Sequence, residues 1–161
     1  MGESEQLVGI AEVKAGRAPE TLVVYGLGSC VGVALYDRES RNGGLAHVML
    51  PSSAQAAKVV QIGKYADTAI NFLVGELGRM GSPPGRLAAK LVGGANMFKT
   101  LVSHPVSIGS RNGIAARESL WKYSIPIVGE DLGGEAGRTI QFSLADGRIR
   151  VKKMNQPEFW L

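Results

Sequence analysis

The stretch YGLGSCVGVALYD, residues 25–37, decides how this chain folds. It joins a glycine-rich elbow, the chain's single cysteine (Cys30) and a run of apolar residues. Two folds compete for it. If a helix opened after Gly32, then Gly26, Gly28 and Gly32 would cradle a phosphate at a helix N-terminus, as in a doubly wound nucleotide-binding sheet. If a strand follows instead, the elbow is a connection and Cys30 stands at the strand's start. The spacing is GxGxxxG rather than GxGxxG. Residues 30–36 are rich in Val and Leu and too short for a confident helix, so the pattern predicts a strand. RNGG at 41–44 also arrives too soon for a crossover helix and a second parallel strand.

On the N-terminal side, LVGIAEVK (7–14) and TLVVY (21–25) read as strands separated by the turn-like AGRAPE (15–20). On the other side, DRESRNGG (37–44) reads as a turn centred on Asn42-Gly43, and residues 45–50 as a strand stopped by Pro51. Tyr65, Ala69, Phe72, Leu73, Leu77 and Met80 recur at three- and four-residue steps, which predicts an amphipathic helix over 64–80 ending at Gly81. Further along come a strand at 87–92, a loop GGANMF (93–98), a second helix at 112–123, a strand at 125–128 and a loop EDLGGEAGR (130–138). Residues 139–144 and 148–154 form a hairpin across Ala145-Asp146-Gly147, since Asp-Gly is a strong turn signal. The total is seven or eight strands and two helices. Consecutive strands at both ends indicate an α/β, single-domain layered sandwich of mostly antiparallel strands, with the two main helices on one side.

The 161 residues suit one domain spanning 1–161, with residues 1–6 flexible and 155–161 a tail whose aromatics pack on the domain. One cysteine excludes an internal disulfide, and with two histidines it falls short of a zinc pattern. The polar start MGESEQ has no signal-peptide character, and no apolar run reaches transmembrane length, so a cytoplasmic protein is expected. The net charge of +4 is mild and spread out. Its densest patch, Arg148, Arg150, Lys152 and Lys153, reads as the wet side of a strand rather than a nucleic-acid groove.

Cys30 itself has three readings. A free cysteine in an apolar stretch is most often an inert core residue. The phosphate cradle is the second. The third is a nucleophile, which needs a base, because a thiol of pKa about 8.5 is only slightly ionised at neutral pH. Two histidines are available: His47 in the strand LAHVML, and His104 in the loop VSHPVS. A tight hairpin centred on Asn42-Gly43 would set Cys30 opposite residue 55 and leave His47 roughly 25 Å away at 3.3 Å per residue. A dyad needs about 3 to 4 Å. Spacing alone therefore leaves the three readings open.

The blocks GLGSCVGVALYD, GGLAHVMLP, GKYADTAI, KLVGGANMF, IGSRN and EDLGGEAGR, in this order from about residue 7 to 154, resemble CheD, the family of chemoreceptor glutamine deamidases. The resemblance implies an α/β sandwich similar in its core to deamidating toxins, needing no cofactor or metal. It implies chemoreceptors as substrates and the CheC phosphatase as a regulatory partner. The family's nucleophile falls on Cys30 and its base on His47, seventeen positions on. The family's supporting Thr falls on Val24, which offers only its backbone carbonyl to the imidazole. Thr21 stands three residues too early to take that place.

Chemically, the implied reaction suits these residues. His47 would draw the Cys30 proton to give a thiolate–imidazolium pair, and thiolate attack on a glutamine Cδ would split amide hydrolysis into two easier steps through a thioester. Backbone N–H groups around Gly28, Ser29 and Cys30 would hold the oxyanion. Two rival classes remain at this level: a binding module that regulates through CheC or receptors without chemistry, and a nucleotide-binding protein with a helix after Gly32. Arg111, Asn112 and Arg138 are candidates for anchoring loops near the site or for pairing with Glu130 and Asp131. Phe98 reads as a core plug or a partner contact.

Overall fold

A computed structural model describes residues 4–97 and 106–161; His104 and Phe98 lie outside the described residues. The deciding stretch resolves as a strand. β4 (Val31–Asp37) follows the elbow directly, so no helix is available after Gly32 to seat a phosphate. The elements in order are β1 (Glu5–Leu7), β2 (Val13–Arg17), β3 (Thr21–Leu27), β4, β5 (Asn42–Val48), α1 (Ala66–Arg79), β6 (Leu87–Gly93), α2 (Ile108–Lys122), β7 (Ile127–Leu132), β8 (Arg138–Ser143), β9 (Ile149–Lys153) and β10 (Phe159–Trp160).

The strands form two five-stranded sheets, ordered β1-β3-β8-β9-β10 and β2-β5-β4-β6-β7. Only β1–β3 and β6–β7 pair in parallel. β4 is central in the second sheet and alternates cleanly. Val31, Val33 and Leu35 face the helices with Ile70, Leu73, Leu77 and Leu120, while Ala34 and Tyr36 face the other sheet with Leu22, Leu27, Ile140 and Phe142. Such period-two alternation is what a strand between two apolar layers requires. Both helices lie on one side, so the molecule is layered helices, sheet, sheet. Each fully buried Leu, Ile or Phe in these layers contributes about 1.5–3 kcal/mol.

Several expectations shift. Residues 7–14 are not one strand. β1 and β2 belong to different sheets, and the chain crosses between them through Gly9 and through Ala11 at φ 63°. The turn expected around Asn42-Gly43 lies three residues earlier, at Arg38–Arg41, with Arg41 at φ 57°. Asn42, Gly43 and Gly44 are already strand. Their glycines answer close packing rather than a turn: a Cβ on Gly44 would stand 2.4 Å from Leu73 Cδ1 and 2.9 Å from the Lys14 carbonyl. Residues 130–132, expected as loop, extend β7, with Glu130 paired to Arg117 on α2. Sequence reading found seven or eight strands; two of the additional ones, β1 and β10, have only three and two residues. The tail does pack on the domain, through Phe159–Trp160 beside β9 and Leu161 against the inter-sheet core.

α1 agrees with its predicted face except that Ile70 and Val74, not Phe72, are buried. α2 starts four residues earlier than expected, capped by the Ser107 hydroxyl accepting from the Ser110 N–H at 3.2 Å. Its buried stripe is small: Gly109, Asn112, Gly113, Ala116, Ser119 and Leu120. A Cβ on Gly109 would lie 2.5 Å from the carbonyls of Gly94 and Ala95. The first turn of α2 thus sits directly on the β6–α2 loop.

Candidate active site

Two of the crossovers between sheets at one end of the sandwich, where residues 133–137 also pass from β7 to β8, frame the site. Residues 28–30 carry the chain from β3 to β4, and residues 8–12 carry it from β1 to β2. Cys30 closes the first crossover and His47 lies beneath the second. The β4–β5 register bears on how near they lie. Val31 pairs with Val48 and Gly32 with His47 on antiparallel β4 and β5. Cys30 stands one residue before the Val31–Val48 rung, two residues from the partner of His47, and packs on the inter-sheet side that Gly32 also faces. The turn is centred three residues earlier than expected, so His47 pairs with Gly32, two residues from Cys30, and the expected 25 Å offset along the strand does not arise.

Cys30 is half-buried against the inter-sheet core. Its carbonyl accepts from the Gly94 N–H at 2.9 Å, and the Gly28 carbonyl from the Ala95 N–H at 2.9 Å. The Gly93-Gly94 loop, with φ of 116° and 64°, therefore braces the elbow. The N–H groups of Gly28 and Ser29 are engaged in no hydrogen bond among the described residues.

His47 is 3% exposed. Its backbone is gripped by the crossover: Ala11 N–H donates to its carbonyl and its own N–H to the Glu12 carbonyl, each at 3.0 Å. The ring nitrogen Nδ1 lies 3.2 Å from the Val8 carbonyl. The carbonyl that orients the imidazole is thus Val8's. Val24, to which that role was assigned from sequence, lies on β3 with its fully buried side chain in the inter-sheet core. With Nδ1 as the donor to Val8, Nε2 is left as the basic nitrogen. It is buried and has no partner among the described residues.

Burial pushes the Cys30 thiol up, opposed by a weaker pull from its own backbone N–H. Burial pushes the His47 imidazole down, opposed by the Val8 carbonyl and the Glu12 carboxylate. Both shifts favour the neutral forms, the thiol and the free imidazole, over the charged pair. Desolvation outweighs the other influences on each group.

Asn112 completes the arrangement. It is fully buried on α2, and its Nδ2 donates to the carbonyls of Ser29 at 2.9 Å and Met49 at 3.1 Å. Its Oδ1 and the neighbouring Arg111 Nε are buried without partners among the described residues; a buried acceptor left so costs about 1–3 kcal/mol. Arg138 anchors differently, to Asp131 at 3.0 Å and to the Gly93 carbonyl at 3.1 Å. The cleft of about 560 Å³ lined by Tyr36, Arg38, Arg41, Lys90, Phe142 and Asp146 lies at the other end of β4 and does not include Cys30. Among the described residues no group of three His, Cys, Asp or Glu could hold a metal. No helix among them is long and apolar enough to cross a membrane.

The model of the CheD chemotactic sensory transduction family matches residues 49–153. The chain belongs to the CheD family. That match begins just after His47, but whole-chain relatives span nearly everything. A probable chemoreceptor glutamine deamidase CheD of Archaeoglobus fulgidus is 47% identical over 158 residues, covering 98% of this chain and 99% of that protein. One so named from Desulforamulus reducens is 45% identical over 157 residues, 97% and 95% of the two chains. Another from Clostridium botulinum is 44% identical, covering 94% of each.

Two site residues of this CheD chain were not assigned roles from sequence. Val8 was hidden inside what read as a continuous strand; the signal was Gly9, since a lone glycine in a strand pattern marks a break. Asn112 was weighed only as a loop anchor. The signal was its place on the buried stripe with Ala116 and Leu120, where a polar residue needs a partner.

Proposed function

We propose that this protein is a chemoreceptor glutamine deamidase, in which Cys30 attacks the side-chain amide of receptor glutamines and His47 acts as general base and acid. The observation that supports this reading is the β4–β5 register, in which His47, its Nε2 without a partner among the described residues, pairs with Gly32, two residues from Cys30. The names carried by the relatives supply the substrate class.

The steps follow from the electrostatics. Nε2 takes the thiol proton as Sγ attacks Cδ, so charge separates only when substrate is present. The amide oxygen becomes an oxyanion, and the free N–H groups of Gly28 and Ser29 are the donors suited to it. The imidazolium returns its proton to the departing amine, releasing ammonia and leaving a thioester on Cys30. Water, deprotonated by His47, then attacks the thioester carbonyl and releases glutamate and the thiol. The dyad needs Sγ and Nε2 to close to hydrogen-bond distance, a tightening common when substrate binds. The reading sets one domain in the cytoplasm, meeting the cytoplasmic helices of receptors, with CheC as the regulatory partner the family relationship suggests.

The test is incubation of the purified protein with a receptor cytoplasmic fragment. Deamidation predicts glutamine-to-glutamate conversion at discrete positions with stoichiometric ammonia. Binding to the fragment without conversion would overturn it in favour of a non-catalytic regulator.

A further inference from the structure

We infer that Asn112 is a positioning residue that sets the distance between the thiol and the imidazole; this rests on the dyad proposed above. Consider where the β4–β5 ladder ends. Its last paired rung is Val31 with Val48. Beyond it the strands part. The Cys30 carbonyl turns to the Gly94 N–H, and the Met49 N–H turns to the Lys64 carbonyl. The rung that would tie Cys30's flank to Met49 is missing, and two carbonyls, of Ser29 and Met49, are left facing the same point. Asn112 Nδ2 occupies that point and donates to both, at 2.9 and 3.1 Å.

The chemistry of the bridge is specific. One nitrogen carrying two N–H groups can join two acceptors; a carboxylate cannot donate, and an aliphatic side chain offers nothing. The amide's orientation is fixed too, because the flipped form would aim Oδ1 at two carbonyl oxygens. Oδ1 itself has no partner among the described residues, so the side chain is placed for its donors alone. The helix carrying it cannot drift, since Gly109 rests against the carbonyls of Gly94 and Ala95, whose own N–H groups hold Cys30 and Gly28. Asn112 thereby ties the strand bearing the nucleophile to the strand bearing the base, at the rung beside both.

The test uses the chain's one thiol, whose alkylation by iodoacetamide reports on Cys30 alone. Rates at pH 7 are compared for the wild type, Asn112→Leu, His47→Ala and the double variant, alongside deamidation of a receptor fragment. Ser82→Ala, in a buried polar network at the far end of β4, is the control for general destabilisation. Asn112→Leu is expected to lower kcat about a hundredfold, the scale for a misplacement of about 1 Å, with KM unchanged. It should slow alkylation as much as His47→Ala does, and the double variant should be no slower than His47→Ala. Ser82→Ala should lower the melting temperature and leave the alkylation rate unchanged. Wild-type rates in Asn112→Leu, or an undiminished further loss in the double variant, would overturn the inference. If Asn112→Leu does not fold, Asn112→Ser, whose short hydroxyl cannot span both carbonyls, carries the same comparison. Wild-type alkylation and deamidation by His47→Ala would instead overturn the dyad, and the inference with it.

Discussion

The two ends of the β4–β5 pair are built on opposite principles. At the turn end, Asp37 is fully buried and saturated: it accepts from Ser82 at 2.6 Å, Ser40 at 2.7 Å, Arg86 at 2.9 Å and the Glu39 N–H at 3.0 Å. Asn42 adds Nδ2 bonds to Met80 and Ser82, each at 3.1 Å. At the crossover end, His47 Nε2, Asn112 Oδ1 and Arg111 Nε are buried and have no partner among the described residues. One end of the strand pair is thus closed with satisfied polar groups, while at the other β5 and the first turns of α2 hold unsatisfied ones. Polar groups are left unpaired where a reacting partner is to supply the missing bonds.

The contrast can be broken at either end. Asp37→Ala strips the carboxylate from the Arg86 guanidinium and two hydroxyls, and it should cost about 3–5 kcal/mol. Urea unfolding measures this, and kcat of the folded fraction should stay at the wild-type value. An equal loss of kcat would mean the ends are not independent.

Acid sharpens the same point. Hydrogen bonds from Ser82, Ser40, Arg86 and Glu39 overcome burial and hold the Asp37 carboxyl well below its ordinary value. A carboxylate depressed in the fold stabilises above its unfolded pKa of about 3.9, and that contribution is lost as pH falls, at up to about 1.4 kcal/mol per pH unit. Unfolding free energy should therefore drop below about pH 4, and Asp37→Asn should flatten that drop.

The other end titrates higher. Burial lowers the His47 pKa, so the folded imidazole is neutral at pH values where an unfolded one begins to protonate. The base stays available below its ordinary value, and the acid limb of kcat/KM should lie below about pH 6.5. The same shift favours folding above that value and loses that contribution as pH falls through it. A limb above 6.5 would contradict the neutral resting dyad. The smallest effect is expected away from both ends. Arg117→Ala removes an exposed, bidentate pair with Glu130, 2.9–3.0 Å apart, and should change stability by about 1 kcal/mol or less.

Much of this was legible in residue order. Alternation in VGVALYD fixed a strand, and the periodicity of 64–80 fixed α1. What misled was glycine. Asn42-Gly43-Gly44 looks like a turn, but there the missing side chains admit Leu73, Leu144 and neighbouring backbone. That one displacement separated Cys30 from His47 on paper. Conversely, Gly9 was passed over inside an apolar run, which hid the crossover that presents the Val8 carbonyl. Contacts between residues distant in sequence, such as Asn112 with Ser29 and Met49, leave no local pattern to read.

The most direct test sets Cys30→Ala beside the wild type, with deamidation of a receptor fragment and thermal melting read together. Abolished glutamine conversion with an essentially unshifted melting curve is the predicted result. Continued conversion by Cys30→Ala at the wild-type rate would contradict the nucleophile and the account built on it.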